Sequence, residues 1–103
     1  MPLPQSRHFV NQGHVVNIAM ANGGTEYTYT LPDHTRKFAI KLRDTNFVFQ
    51  LAFAIATSGT AYYSVPAGQE FFENDLYTVD HTPVILYFQC ATNTMIAEIV
   101  YWD

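Results

Sequence analysis

Charge is what this sequence has least of. Only 14% of its 103 residues are Asp, Glu, Lys or Arg, against about 25% in ordinary soluble domains. Five Lys and Arg stand against nine Asp and Glu, for a net charge of −4. Nucleic-acid binding needs clustered cations, and the one cluster here is Arg36, Lys37, Lys41 and Arg43. On a strand, Lys37, Lys41 and Arg43 share one face, the pattern of a solvated surface, so no nucleic-acid partner is expected. Cysteine is nearly absent as well. Cys90 stands alone in an apolar run, which excludes an intrachain disulfide and predicts a buried small hydrophobe. No apolar run reaches the length of a membrane-spanning helix, so no membrane partner is expected. Met1-Pro2-Leu3-Pro4-Gln5 has neither a basic start nor an apolar stretch, which predicts no signal peptide and folding in a cytoplasm.

The motifs of catalysis are missing too. There is no Gly-rich phosphate loop, no Gly-x-Ser-x-Gly, no His-Glu-x-x-His and no Cys-x-x-Cys. His8, His14, His34 and His81 are scattered. Asp33-His34 and Asp80-His81 are adjacent pairs, whose side chains point opposite ways on extended chain. Only His34 and His81 could meet at loop ends to hold a metal. Glu70 and Glu73 fall on opposite faces of an extended segment and lack the cleft that paired-carboxylate chemistry needs. Cys90 has no evident base or cation to form a thiolate. The expectation is a non-enzymatic protein without catalytic residues, cofactor or metal.

What the chain does have is apolar and aromatic residues, 49% and 16% of the total, enough for one core in a single domain. Eleven threonines and six asparagines supply neutral polarity in place of charge. Residues 1–10 read as an extended arm. Pro2 and Pro4 block regular pairing, while Leu3, Phe9 and Val10 offer apolar anchors for a neighbouring subunit. Residues 11–103 then alternate with the period of β-strands.

His14–Met20 places Val16, Ile18 and Met20 on one face, and Asn22-Gly23-Gly24 turns the chain into a strand ending at Thr30. Arg36–Arg43 points Phe38, Ile40 and Leu42 one way. Phe47–Ala56 does the same with Phe47, Phe49, Leu51, Phe53 and Ile55; its alanines also suit a helix, but strict alternation favours a strand. Ser58-Gly59-Thr60 reads as a hairpin loop into Ala61–Val65. Pro66-Ala67-Gly68 reads as a type II turn, with Pro at the first corner and Gly at positive φ. Gln69–Glu73, Leu76–Val79, Val84–Cys90 and Met95–Trp102 complete the pattern. Eight or nine short strands with turns about every ten residues predict a two-sheet antiparallel sandwich, jelly-roll-like in its winding.

The second faces of these strands carry the functional reading. Behind the large residues of Phe47–Ala56 lie Val48, Gln50, Ala52, Ala54 and Ala56, and behind Leu86 and Phe88 lie Ile85, Tyr87 and Gln89. Met95–Trp102 is apolar on both faces. Surplus apolar surface of this kind marks interaction sites and predicts a homo-oligomer or docked subunit, with Leu3, Phe9, Val10, Val48, Gln50, Ala52, Ala54, Ile85 and Tyr87 at the interface. The alternative is a carbohydrate-binding module that stacks sugars on Tyr27, Tyr29, Tyr62, Tyr63 and Trp102.

Three segments carry a family resemblance. Ala61-Tyr62-Tyr63-Ser64-Val65-Pro66-Ala67-Gly68-Gln69-Glu70-Phe71, followed by Val84-Ile85-Leu86-Tyr87-Phe88-Gln89 and the closing Ala97-Glu98-Ile99-Val100-Tyr101-Trp102, resembles the small β-sandwich virion proteins of tailed bacteriophages. The resemblance covers about the C-terminal half and brings no site residues with it. It implies a capsid decoration or cement protein that oligomerises, braces neighbouring major capsid subunits and resides in a virion assembled in the host cytoplasm. A tail or baseplate component is the other role it allows.

Overall fold

A computed structural model describes residues 12–74, 76 and 83–103. They contain eight strands: β1 (Gly13–Met20), β2 (Tyr27–Thr30), β3 (Lys37–Leu42), β4 (Phe49–Ala52), β5 (Tyr63–Val65), β6 (Glu70–Glu73), β7 (Ile85–Gln89) and β8 (Met95–Trp102). Two four-stranded sheets result, with spatial orders β1-β8-β3-β6 and β2-β7-β4-β5, and every neighbouring pair is antiparallel. The arm of residues 1–10 and most of the segment Leu76–Val79 lie outside the described residues.

The pairing is nested. β1 bonds to β8, β2 to β7, β3 to β6 and β4 to β5, so the chain is one long hairpin rolled on itself, with β3·β8 and β4·β7 closing the roll. That is the winding of a jelly roll. The register does not slip where the outer ribbon passes from one sheet to the other: partners' residue numbers have the same sum in β1·β8 and β2·β7. The crossing is stitched by Gly24 N–H to the Cys90 carbonyl (2.8 Å) and Thr94 N–H to the Ala21 carbonyl (3.1 Å). Gly23 is needed at this crossing, because a Cβ there would stand 2.3 Å from the Ala91 carbonyl oxygen.

The core lies between the sheets and follows the alternation. Phe38, Ile40 and Leu42 of β3, Leu86 and Phe88 of β7, and Ala97 and Ile99 of β8 are buried. They pack with Met20, Leu31, Phe49, Leu51, Val65 and the free thiol of Cys90.

Two local expectations need correction. β4 ends at Ala52, and Phe53 and Ile55, assigned to the inner face, are 51% and 75% exposed. The chain leaves the sheet because residues 54–61 form a tight turn. Thr57 Oγ donates to the Ala54 carbonyl (2.6 Å), Ala61 N–H donates to the Thr57 carbonyl (2.8 Å), and Ala56 takes a φ of 63°. In the second turn, Gly68 does hold a positive φ of 77°. However, Gln69 N–H closes on the Pro66 carbonyl (3.0 Å), so Pro66 precedes the first corner and Ala67 occupies it.

Candidate interaction surface

The outer face of the first sheet is read by register, since residues opposite one another on neighbouring strands point to the same side. One row crosses all four strands: Val15, Val100, Ala39 and Phe72. It is apolar throughout. Val15 is 71% exposed and Phe72 47%, with half-buried Val100 between them. Ala39 is too small to fill its place in the row. A shallow depression of about 240 Å³ opens there, walled by Val15, Val100, Lys41, Glu70 and Glu98.

The next row is polar: Asn17, Glu98, Lys41 and Glu70. Glu98 accepts from Arg43 Nε at 2.6 Å and lies 3.6 Å from Lys41 Nζ. The Arg43 hydrogen bond, helped by the charges of Arg43 and Lys41, holds the Glu98 carboxyl below its ordinary value, and slight burial opposes this. On the other side of the apolar row, Lys37 Nζ sits 5.0 Å from the centre of the Trp102 ring, a cation–π contact. The sheet therefore presents a greasy stripe bordered by charges and polar side chains.

The outer face of the second sheet is partly closed by the chain itself. Glu26 accepts from the N–H groups of Ala56 (2.8 Å) and Ser58 (3.0 Å) and from the Ser58 hydroxyl, and Ser58 Oγ lies 2.9 Å from the side-chain amide of Gln89. This clasp straps the turn of residues 54–61 to β7. The Ser58 hydrogen bond is the main reason the Glu26 carboxyl is held below its ordinary value.

Of the residues expected at an interface, Val48 and Ala54 are exposed and Gln50, Ile85 and Tyr87 half-buried. Ala52 is buried and forms no part of the surface. Leu3, Phe9 and Val10 lie outside the described residues.

The expected sugar-stacking residues do not converge. Tyr27 and Tyr29 turn inward against the core. The Tyr27 hydroxyl accepts the Asn22 N–H at 3.0 Å. Tyr29 packs beside Tyr101, with ring centres 6.3 Å apart. Burial first, then the hydrogen bond and proximity to Tyr101, push the Tyr29 phenol up to about 12. Trp102 is on the opposite sheet, under Lys37. Only Tyr62 and Tyr63, 42% and 59% exposed, offer neighbouring open rings.

Among the described residues no group of three or more His, Cys, Asp or Glu could hold a metal. His14 stacks on Tyr101 at 4.9 Å, and its Nε2 lies 3.2 Å from Asp103 Oδ2. His34 sits at positive φ (69°) in the β2–β3 connection, and His81 lies outside the described residues. A second cavity of about 450 Å³ between the sheet ends is lined by Phe38, Phe53, Phe71 and Leu76, among others, with Glu73 as the one charged group among the described residues. Among the described residues it brings no acid–base pair together.

The row Val15–Val100–Ala39–Phe72 escaped sequence reasoning. Each member is unremarkable in its own strand, and only the register of four strands aligns them.

No protein-family model and no curated protein sequence matches the chain. Among solved structures it is similar to a de novo designed double-stranded beta-helix determined by solution NMR. The TM-score is 0.54 at 14% identity, covering 89% of this chain and 99% of that one. The likeness is one of fold alone.

Proposed function

We propose that the chain is a non-catalytic structural subunit of a phage virion, of the capsid decoration or cement kind, which meets copies of itself and neighbouring shell proteins. The observation that carries this reading is the apolar row Val15–Val100–Ala39–Phe72 across the full width of the first sheet. Fully burying a side chain such as Val or Phe contributes about 1.5–3 kcal/mol. The exposed parts of Val15 and Phe72 therefore offer an associating partner about 3 kcal/mol before association costs. The flanking charges suit the polar rim of an interface. The virion setting comes from the resemblance of the C-terminal half.

Sedimentation of the full chain over the micromolar range tests the association, with Val15→Glu and Phe72→Glu as probes. Both side chains are exposed, so the variants keep the fold and shift the population toward monomer. A wild-type chain that stays monomeric throughout would overturn the reading. Copy number in purified particles then separates shell from tail: hundreds of copies place the protein on the shell, and a single ring's worth places it in the tail or baseplate. A glycan-binding role rests on Tyr62 and Tyr63 alone, and a blank glycan array would remove it.

A further inference from the structure

We propose that β1 pairs edge to edge with β1 of a second copy about a two-fold axis, fusing the first sheets of two subunits into one continuous sheet. This rests on the self-association proposed above and names the edge that mediates it.

Two sheets have four edges, and three are blunted. β5 has three residues and runs into Pro66; β2 has four and is followed closely by Pro32; β6 has four and is framed by Glu70 and Glu73. Short strands, prolines and charges are the usual guards against edge pairing. β1 has none of them. Its eight residues, Gly13-His14-Val15-Val16-Asn17-Ile18-Ala19-Met20, include no Lys, Arg, Asp, Glu or Pro, and they keep an unbroken register with β8. Among the described residues nothing pairs with the other side of β1.

The orientation of its backbone groups follows from the ladder. Arg43 N–H donates to the Ile96 carbonyl (2.9 Å), in the same register as β3·β8. The peptide groups of Ile96, and of every second residue along β8 from it, therefore face β3, and those of Met95, Ala97, Ile99 and Tyr101 face β1. Their partners in β1 are Met20, Ile18, Val16 and His14. The residues between them, Gly13, Val15, Asn17 and Ala19, direct both N–H and C=O to the open edge.

That edge complements itself. In the antiparallel register that sets Val16 opposite its own copy, Val15 faces Asn17 of the partner subunit and Gly13 faces Ala19 of the partner subunit. All four outward-directed residues of each chain then form hydrogen-bonded pairs. Parity is preserved, so core-facing residues meet core-facing residues. No charged side chain meets its like, because the strand has no carboxylate or basic side chain beyond His14, which lies beside Asp103. Across the junction each Val15 row runs into the polar row that Asn17 of the partner subunit begins.

The ladder also dictates a selective perturbation. Asn17→Pro removes an N–H that serves only the open edge, a position that tolerates proline, and leaves every bond to β8 in place. It removes one bond from each copy, which weakens the dimer on the order of thirtyfold. An unchanged dissociation constant in a folded Asn17→Pro chain would overturn the inference. Residue-resolved hydrogen exchange on the wild-type full chain gives a second reading that needs no variant. The amides of Val15, Asn17 and Ala19 slow by about tenfold or more as the concentration rises through the association, while Val16 and Ile18 are protected throughout. Association without that slowing assigns the contact to another surface, which refutes this edge and leaves the structural-subunit reading standing. Protection independent of concentration shows the edge covered within one chain and refutes it as well. A chain that never associates removes both.

Discussion

The clasp between Glu26 and the turn after β4 makes the sharpest test of the fold. Glu26 receives three hydrogen bonds, two of them from backbone N–H groups at 2.8 and 3.0 Å and the third from the Ser58 hydroxyl. Ser58 is fully buried, at 0% exposure, so water cannot replace the carboxylate there. A hydrogen bond to a charged group contributes about 1.5–3 kcal/mol, and a buried group left without its partner costs about 1–3 kcal/mol. Glu26 itself is half-buried, and solvent recovers part of the loss at Ala56, whose side of the turn is exposed. Glu26→Ala is therefore expected to destabilise by about 2–3 kcal/mol, lowering Tm by roughly 10–20 °C. Glu26→Gln keeps the shape but turns an NH2 group toward a donor, and costs about 1–2 kcal/mol.

The pH dependence has a definite sign. The folded carboxyl titrates below its ordinary 4.5, so the unfolded chain binds the proton first as pH falls. The stabilisation is complete above the unfolded value and is lost as pH drops through the folded one. Urea denaturation of wild type, Glu26→Gln and Ser58→Ala, repeated from neutral pH down through the carboxylate range, checks both parts. The two single variants should couple by about 1 kcal/mol in a double-mutant cycle, and Glu26→Gln should lack this part of the acid sensitivity. A Glu26→Ala protein within about 0.5 kcal/mol of wild type would refute the clasp.

Three further outcomes are expected. Gly23→Ala forces a Cβ to 2.3 Å from the Ala91 carbonyl oxygen, and denaturant titration should show a loss of about 1–3 kcal/mol, whereas replacing Gly24, whose Cβ would meet nothing within 4 Å, incurs only the positive-φ cost of about 1 kcal/mol. Tyr29, raised to about 12, remains neutral in the folded protein after an unfolded tyrosine ionises near 10, so its contribution is intact below pH 10 and lost as pH rises toward 12; Tyr29→Phe should flatten that alkaline loss in thermal melts. Glu98→Gln should cost less than about 1 kcal/mol, because Arg43, Lys41 and Glu98 all retain solvent contact, and melts in high salt should shrink the difference further.

Alternation makes the inner faces of β1, β3, β7 and β8 legible in the sequence, since a strand buried on one side must repeat its large residues every second position. The same rule failed at Phe53 and Ile55, where the alternation continues in the sequence although the strand does not. What ends β4 is a turn held by Glu26, some thirty residues earlier, and no local window contains that contact. The sugar-stacking set failed for a related reason. Tyr27 and Tyr29 alternate with threonines in a way that suits either face, and the packing of Tyr29 on Tyr101 decides for the interior. Turn chemistry was readable at Gly68, where φ demands glycine, but the position of Pro66 depended on which carbonyl Gln69 chose. The apolar row on the first sheet was the least accessible feature. Its four residues come from four strands and three different pairings, and a shift of one residue in any pairing would scatter them.

Nested pairing explains why the scarcity of charge matters most in one place. When strands pair first with last and second with second-last, β1 has β8 on one side and, among the described residues, no strand on the other. Among the described residues the winding thus leaves an edge at β1, and the long β1·β8 ladder makes it the longest of the four sheet edges they form. A chain under selection only to remain monomeric would meet that topology with a lysine, a proline or a bulge at Val15, Asn17 or Ala19, the three positions where the backbone and side chain both face outward. The sequence uses its few charges elsewhere, at Lys37, Lys41, Arg43, Glu70 and Glu98 on the neighbouring strands and their ends. They border the apolar row there without guarding the edge. For the structural subunit proposed above, this distribution of charge matters more than its low total: a polar frame would limit where contacts form, and one strand is left open to form them.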